Sequence, residues 1–388
     1  MQINPKRIFE SLDRLGHIGY EPGIGTSRVA YSEAFNTGRD FVKRYMEESG
    51  LDTYIDGVGN LTGRLPGTGS VIAIGSHIDT VPGGGMYDGV YGVLAGIEVL
   101  RTLKESGYKN NHPIEVIAFN EEEGNAVGGT FGSKAFAGQA QEGSAIAKLP
   151  DFGMTVKDID ASRRCATDYR CYLEWHIEQG GILEAENTNI GIVEGIVGIA
   201  RYNVIVNGTA NHAGTTPMNL RDDALKKSCE IILRAIDICR STDTSMVCTV
   251  GFINTLPGAV NVIPGKVEFP LEFRTLNMEN IEKAVSQLKG EFPEVSFDNF
   301  LWQGATIMNE HIMEIISKCC EDKGLSVKYM PSGAGHDAIN MALFTPTAML
   351  FIPSVGGISH SPDEFSRYED IAHGAEILLD TVIRIDKE

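Results

Sequence analysis

The sequence predicts an α/β protein: a mixed, mostly parallel sheet flanked by helices, forming a split domain into which a ferredoxin-like α+β domain is inserted. Three observations predict it. Apolar runs at residues 71–74, 116–119 and 347–352 are short and uninterrupted, as in strands buried on both faces. Helical periodicities run between them, with Val90, Val93, Leu94, Ile97 and Leu100 falling on one face. Near Ile199 the order of elements changes, and from Asn309 the first pattern returns.

Up to residue 198 strands and helices alternate. Next come a strand at 200–206, a long helix at 224–239, strands at 246–256 and 266–274, a helix near 281–288 and a strand at 295–302. Leu225, Cys229, Ile232, Ile236 and Cys239 are expected to form the apolar stripe of the long helix. This βαββαβ order reads as a ferredoxin-like sandwich. Residues 1–198 and 309–388 therefore form one split domain, and 199–308 the insert. Neither repeats nor low-complexity tracts occur.

Residues 75–93 carry the densest chemical signal. The first buried strand delivers His77 and Asp79, and after a Gly/Pro turn Asp88 precedes the next helix. Strand ends and helix mouths are where open α/β sheets build sites. His77 can offer a neutral imidazole to a metal while Asp79 holds the other ring nitrogen. Asp88 has two oxygens and could bridge two ions; a helix N-cap beside a buried histidine is the plainer reading. Glu121, Glu122 and Glu123 come after the strand at 116–119. Adjacent carboxylates raise one another's pKa unless a cation sits among them, so a metal ligand beside a general base accounts for them economically. His176 lies in a strand-like alternation and His360 in the loop after 347–352. Imidazole and carboxylate ligands without thiolate suit zinc, manganese or cobalt in a hydrolytic site.

Eight segments in order carry a resemblance: Ser76-His-Ile-Asp-Thr-Val, Tyr87-Asp-Gly, Glu121-Glu-Glu-Gly, His176-Ile-Glu-Gln-Gly, Asn211-His-Ala-Gly-Thr-Thr-Pro-Met218, Asn261-Val-Ile-Pro-Gly265, Ser332-Gly-Ala-Gly-His-Asp-Ala338 and Ile358-Ser-His-Ser-Pro. Over nearly its whole length the chain resembles the hydantoinase/carbamoylase branch of the aminoacylase and carboxypeptidase-G-type dinuclear metallohydrolases. That branch includes N-carbamoyl-L-amino-acid amidohydrolases, β-ureidopropionases and allantoate amidohydrolases. The resemblance implies two divalent ions per subunit, zinc first, with manganese, cobalt or nickel as alternatives. His77, Asp88 and His176 would hold one ion; Asp88, Glu123 and His360 the other. Glu122 would be the general base and Asp79 would orient His77. The insert would be a lid and dimerisation domain, making a homodimer. From it His212 would stabilise the oxyanion, with Asn261 and Arg274 binding substrate carbonyl and carboxylate; Gln179 and His336 are further candidates for contacting substrate.

The resemblance implies cleavage of the carbamoyl C–N bond of N-carbamoyl-L-amino acids to amino acid, ammonia and carbon dioxide. Allantoate, N-acyl amino acids or dipeptides are alternative substrates, and a non-catalytic metal-binding relative is a further alternative. One departure bears on the choice: Asn125-Ala126-Val127 stands where the family commonly has Ser-Arg-Phe. Composition agrees with a small-molecule enzyme. With 52 acidic and 33 basic residues the net charge is -19, which argues against nucleic-acid or anionic-membrane partners. No apolar run is long enough for a membrane span, and no leader is evident, so a cytoplasmic protein is expected. The seven cysteines lack a Cys-x-x-Cys pair and read as reduced core residues, with Cys319 buried and Cys320 partly exposed, or the reverse.

Overall fold

The computed structural model describes residues 1–140 and 144–388. The chain divides into two compact units, Met1–Glu194 with Met308–Glu388, and Gly195–Ile307. Sequence pattern put the borders at 198/199 and 308/309; the strand Ile190–Ile196 runs through the first structural border.

In the first unit the sheet is mixed. Thr347–Ile352, Tyr169–Ile177, Val71–His77 and Ile114–Phe119 lie side by side in that order and run parallel. The flanks are antiparallel: Leu61–Leu65 pairs with Ile114–Phe119, and Ile190–Ile196 with Thr347–Ile352. Every residue of Val71–His77, Ile114–Phe119 and Thr347–Ile352 is buried. Side chains alternate across the sheet. Ile72, Ile74, Val116, Ala118, Leu173, Trp175, Leu350 and Ile352 enter one large core with the helices Val90–Glu105 and Tyr368–Lys387. The helix Val90–Glu105 is buried on nearly all sides rather than on one face, because the helices Pro5–Gly16 and Tyr368–Lys387 pack over it. The opposite parity carries His77, Phe119, Glu174, His176 and Phe351.

Register then fixes the site. His77 lies opposite Phe119 and His176 opposite Phe351, so the parallel strands finish level with one another. The segments that leave these strands, residues 78–88, 120–123, 178–179 and the loop to His360, emerge at one end of the sheet.

The second unit is a four-stranded antiparallel sheet with one added short strand. Its order is Val247–Thr249, Lys266–Thr275, Gly198–Asn207, Ser296–Gln303, the arrangement of a ferredoxin-like βαββαβ unit. Lys266–Thr275 alternates strictly between buried and half-buried residues, one face lying on the helices Ala224–Thr242 and Met278–Glu291. The strand expected at 246–256 is two short ones, Val247–Thr249 and Asn254–Leu256, both paired with Lys266–Thr275. Asp223 starts the long helix by accepting the N–H groups of Leu225 and Lys226. Its buried stripe is Ala224, Ser228, Ile231, Ala235, Ile238 and Cys239; of the expected residues Cys239 is buried, Leu225 and Ile232 pack at the edge of the core, and Cys229 is exposed. All seven cysteines are free thiols, and Cys319 and Cys320 are both buried, since each faces the core between helices Glu310–Lys323 and Tyr368–Lys387. No described helix is long and apolar enough to cross a membrane.

The buried stripe gives a direct check. Ile231→Ala should destabilise the insert by about 2–5 kcal/mol in urea unfolding, while Cys229→Ala should change it by less than about 0.5 kcal/mol. Equal costs would mean the helix faces its sheet differently.

Candidate metal centre

Asp88 is the hub. It precedes the helix Val90–Glu105 and is buried, with Gly89 rather than Asp88 at the N-cap position. Its Oδ1 lies 3.0 Å from His176 Nε2 and 3.7 Å from His77 Nε2. Its Oδ2 lies 3.1 Å from His360 Nε2, which is 3.5 Å from Glu123 Oε2. Two groups able to hold a metal ion result: His77, Asp88 and His176, and Asp88, Glu123 and His360, each with its ligand atoms within 4.8 Å of one another. Glu122 stands beside them, with Oε2 3.8 Å from His77 Nε2. These residues, with Gln179, His336 and the backbone of 129–130 and 334–335, line a cavity of about 330 Å³.

The imidazoles are oriented from behind. His77 Nδ1–H donates to the Asp79 carbonyl oxygen at 3.0 Å, and His176 Nδ1–H to the Ile177 carbonyl at 2.8 Å. Each Nε2 is thereby turned towards Asp88. The expectation that the Asp79 side chain orients His77 needs correction: its Oδ1 is 3.6 Å from the ring nitrogen, too far for a hydrogen bond. Its carboxylate accepts instead from the backbone N–H groups of Glu122 (3.3 Å) and Glu123 (3.1 Å), fixing the segment that presents both glutamates. Glu121 turns away at a left-handed φ of 61° and accepts from Ala126 N–H and Gly128 N–H. It thus shapes the loop that contains Asn125-Ala126-Val127. Gly89 is required by space: a Cβ there would lie 2.4 Å from the His77 ring.

Charge favours a cation here. Burial lifts Glu122 well above the usual carboxylate range, and Asp337, Glu123, Asp79 and Asp88 add like charge. Burial and Asp88 push Glu123 up to about 8. Burial would raise Asp88 too, but hydrogen bonds from His176 and His360 hold it well below its ordinary value. Burial would lower His176, yet Asp88 lifts it to about 9, and its hydrogen bond to Asp88 lifts His360 to about 9. His77, governed by burial, falls to about 4. Protons stand in for positive charge that a buried cluster of acids demands, and oxygen and imidazole donors at this spacing fit divalent ions.

Gln179 donates its Nε2–H to Asp88 Oδ2 at 2.9 Å, and its carbonyl oxygen is buried without a hydrogen-bond partner among the described residues. His336 is buried edge-on against His176, ring centroids 4.6 Å apart, with Nε2 2.9 Å from Ser332 Oγ; burial keeps it neutral. His212, Asn261 and Arg274 belong to the second unit. His212 Nδ1 accepts from Gly214 N–H and Thr215 N–H, which leaves the ring proton on Nε2. The Asn261 carbonyl accepts from Ala213 N–H, and the strand that follows Asn261, Val262–Ile263, pairs with Asn211–His212. Arg274 Nε donates to Glu272 Oε1 at 2.8 Å, and Glu272 also accepts from Arg201.

Four supporting residues went unassigned in the sequence. Glu364 accepts from Tyr87 N–H and Asp88 N–H. Glu174 accepts from Ala338 N–H and is pushed up to about 7 by burial. Asp337 accepts from Ser133 Oγ, and Arg28, fully buried, donates to the carbonyls of Ile78 and Leu15. A carboxylate inside the core strand Tyr169–Ile177 was a readable signal for Glu174; nothing local announced Arg28.

The chain is similar to known proteins along nearly its whole length. The family model for peptidase family M20/M25/M40 matches residues 73–384. An N-carbamoyl-L-amino acid amidohydrolase of Geobacillus stearothermophilus is 37% identical over 402 residues, covering 98% of each chain. The allantoate amidohydrolase of Escherichia coli is 36% identical over 395 residues, covering 96% of this chain and 95% of its own. A hydantoinase/carbamoylase family amidase from Burkholderia multivorans superposes with a TM-score of 0.90 at 31% identity, covering 100% of this chain and 99% of its own.

The protonation pattern sets a pH dependence. Without metal, His176 and His360 keep their protons up to about pH 9 and Glu123 up to about 8. Cations must displace those protons, so affinity should climb with pH through about 8 to 9 and level off above, with protons released on binding below that. Calorimetric titration in buffers of different ionisation enthalpy measures this; binding that ignores pH over that window would point away from these ligands.

Proposed function

The chain belongs to peptidase family M20/M25/M40 and is a hydrolase of amide C–N bonds, and from that premise we propose that it removes the carbamoyl group of N-carbamoyl-L-amino acids at a dinuclear metal centre. The single observation that carries the reading is the pair of ligand groups sharing Asp88, with Glu122 beside them in the same cavity. The relative named N-carbamoyl-L-amino acid amidohydrolase, similar along its full length, supports the substrate class. His77, His176, Glu123 and His360 complete the ligand set, and zinc or manganese suits it.

When bound, two such ions supply a water of lowered pKa and positive charge for the substrate carbonyl oxygen. Glu122 takes the proton of that water as hydroxide adds to the carbonyl carbon, and returns it to the departing nitrogen. The C–N bond breaks, ammonia leaves, and the remaining N-carboxy group loses carbon dioxide to give the amino acid. His212, its proton held on Nε2, donates to the developing oxyanion, a contribution of about 3–4 kcal/mol in comparable sites. Arg274 pairs with the substrate carboxylate, for which its planar fork is suited, and must share itself with Glu272. Asn261 binds the carbonyl end, and the orphan carbonyl of Gln179 and neutral His336 face substrate N–H groups. A second copy of the chain is the proposed partner, through the insert, where Val247, Phe252, Ile253 and Val260 are exposed. Free thiols throughout fit a cytoplasmic location.

A second reading, allantoate as substrate, has the similarity to the Escherichia coli enzyme in its favour. Ammonia release from N-carbamoyl-L-amino acids, N-carbamoyl-β-alanine and allantoate decides between them: the first should turn over fastest, and faster turnover of allantoate would replace the first reading with the second. Glu122→Gln should keep both ions and lose turnover by about 10²–10⁴-fold. Near-normal activity in that variant would remove Glu122 as the base.

A further inference from the structure

Resting on the two-ion reading above, we propose that Glu364 is a positioning residue that sets the occupancy of the ion held by Asp88, Glu123 and His360. The two groups of ligands are not held alike. His77 and His176 are carried on sheet strands, fully buried, each with Nδ1 fixed on a backbone carbonyl. His360 is carried on a loop at a left-handed φ of 54°, and 49% of its side chain is exposed. Besides its own approach to Asp88 Oδ2 and the edge-to-face contact of Tyr87 with Phe365, its loop is tied to the segment carrying Asp88, far away in sequence, by the carboxylate of Glu364. Glu364 is 4% exposed and lies between the two loops. Its Oε1 accepts from the backbone N–H groups of Tyr87 (2.8 Å) and Asp88 (3.0 Å). Its Oε2 accepts from the hydroxyl of Ser359, the residue before His360, at 2.8 Å. The same side chain therefore ties the backbone of Asp88 to the residue before His360.

Gly85 supports the assignment from the other side. A Cβ there would lie 2.2 Å from Glu364 Oε1 and 2.4 Å from Glu364 Cβ, so the backbone leaves room only for the carboxylate. Gly85 has no left-handed φ, and alanine is disfavoured there by Glu364 rather than by the backbone. Groups that orient ligands in this way commonly change metal affinity 10–100-fold when lost.

The test is to strip the protein with chelator, equilibrate it with Zn²⁺ alone at graded free concentration, and count bound ions per chain by elemental analysis. Wild type should take up two. Glu364→Ala should bind the first within about twofold of wild type and the second about 10–100-fold more weakly. Gly85→Ala should shift the second ion in the same direction. Glu364→Gln should stay near wild type, because its amide oxygen still accepts from both N–H groups and its NH₂ can donate to Ser359. If Glu364→Ala does not fold, Ser359→Ala, which removes one hydroxyl, should weaken the second ion alone. A second ion bound at wild-type strength in Glu364→Ala, or both ions weakened equally, overturns the proposal. A wild-type protein that never binds two ions overturns the two-ion reading itself, whatever Glu364 does.

Discussion

The structure turns on one buried carboxylate. Asp88 is enclosed by the imidazoles of His77, His176 and His360 and by the amide of Gln179, and Glu122 and Glu123 stand close by. An acid cluster that deep repels itself unless positive charge enters it, and the sheet end gathers two groups of side chains that could hold a cation. The rest of the first unit serves this constraint. Four parallel strands end level, the buried helix Val90–Glu105 brings Asp88 to that edge, and Asp79 ties both glutamates down through their backbone N–H groups.

Much of this was legible because chemistry sits where periodicity breaks. His77, Glu122 and Glu123 come just after apolar runs and His176 lies in a strand-like alternation, so the strands and the candidate ligands announce each other. What escaped was support arriving from afar. Glu364 meets Tyr87 and Asp88 across most of the sequence, and Arg28 reaches Ile78 and Leu15 with no local pattern to mark it. Asp79 was the right residue with the wrong atom: two residues after His77 its carbonyl reaches the ring, leaving the carboxylate for other work. On the helix Ala224–Thr242 a period of 3.6 allowed two neighbouring stripes, and Cys229 belongs to the exposed one. The strand expected at 246–256 is broken into two, each paired with the same neighbour.

The two units divide the labour in the proposed reaction. The first assembles the candidate ligands and base within one cavity, His77 and His176 through strand register and the others on segments that leave the strands. The second offers polar groups fixed locally: His212 by two backbone N–H groups, Arg274 by Glu272. A chain of net charge -19 needs local positive charge, such as Arg274, to receive the anionic substrate proposed. The loop at 125–128 is held by Glu121 through the N–H groups of Ala126 and Gly128.

Anomalous diffraction from crystals of the metal-loaded protein reports on the central carboxylate without reference to any substrate. Two peaks about 3.5–4 Å apart, one on either side of Asp88, are what this account requires. A single peak, or peaks that leave Asp88 uncoordinated, would contradict it.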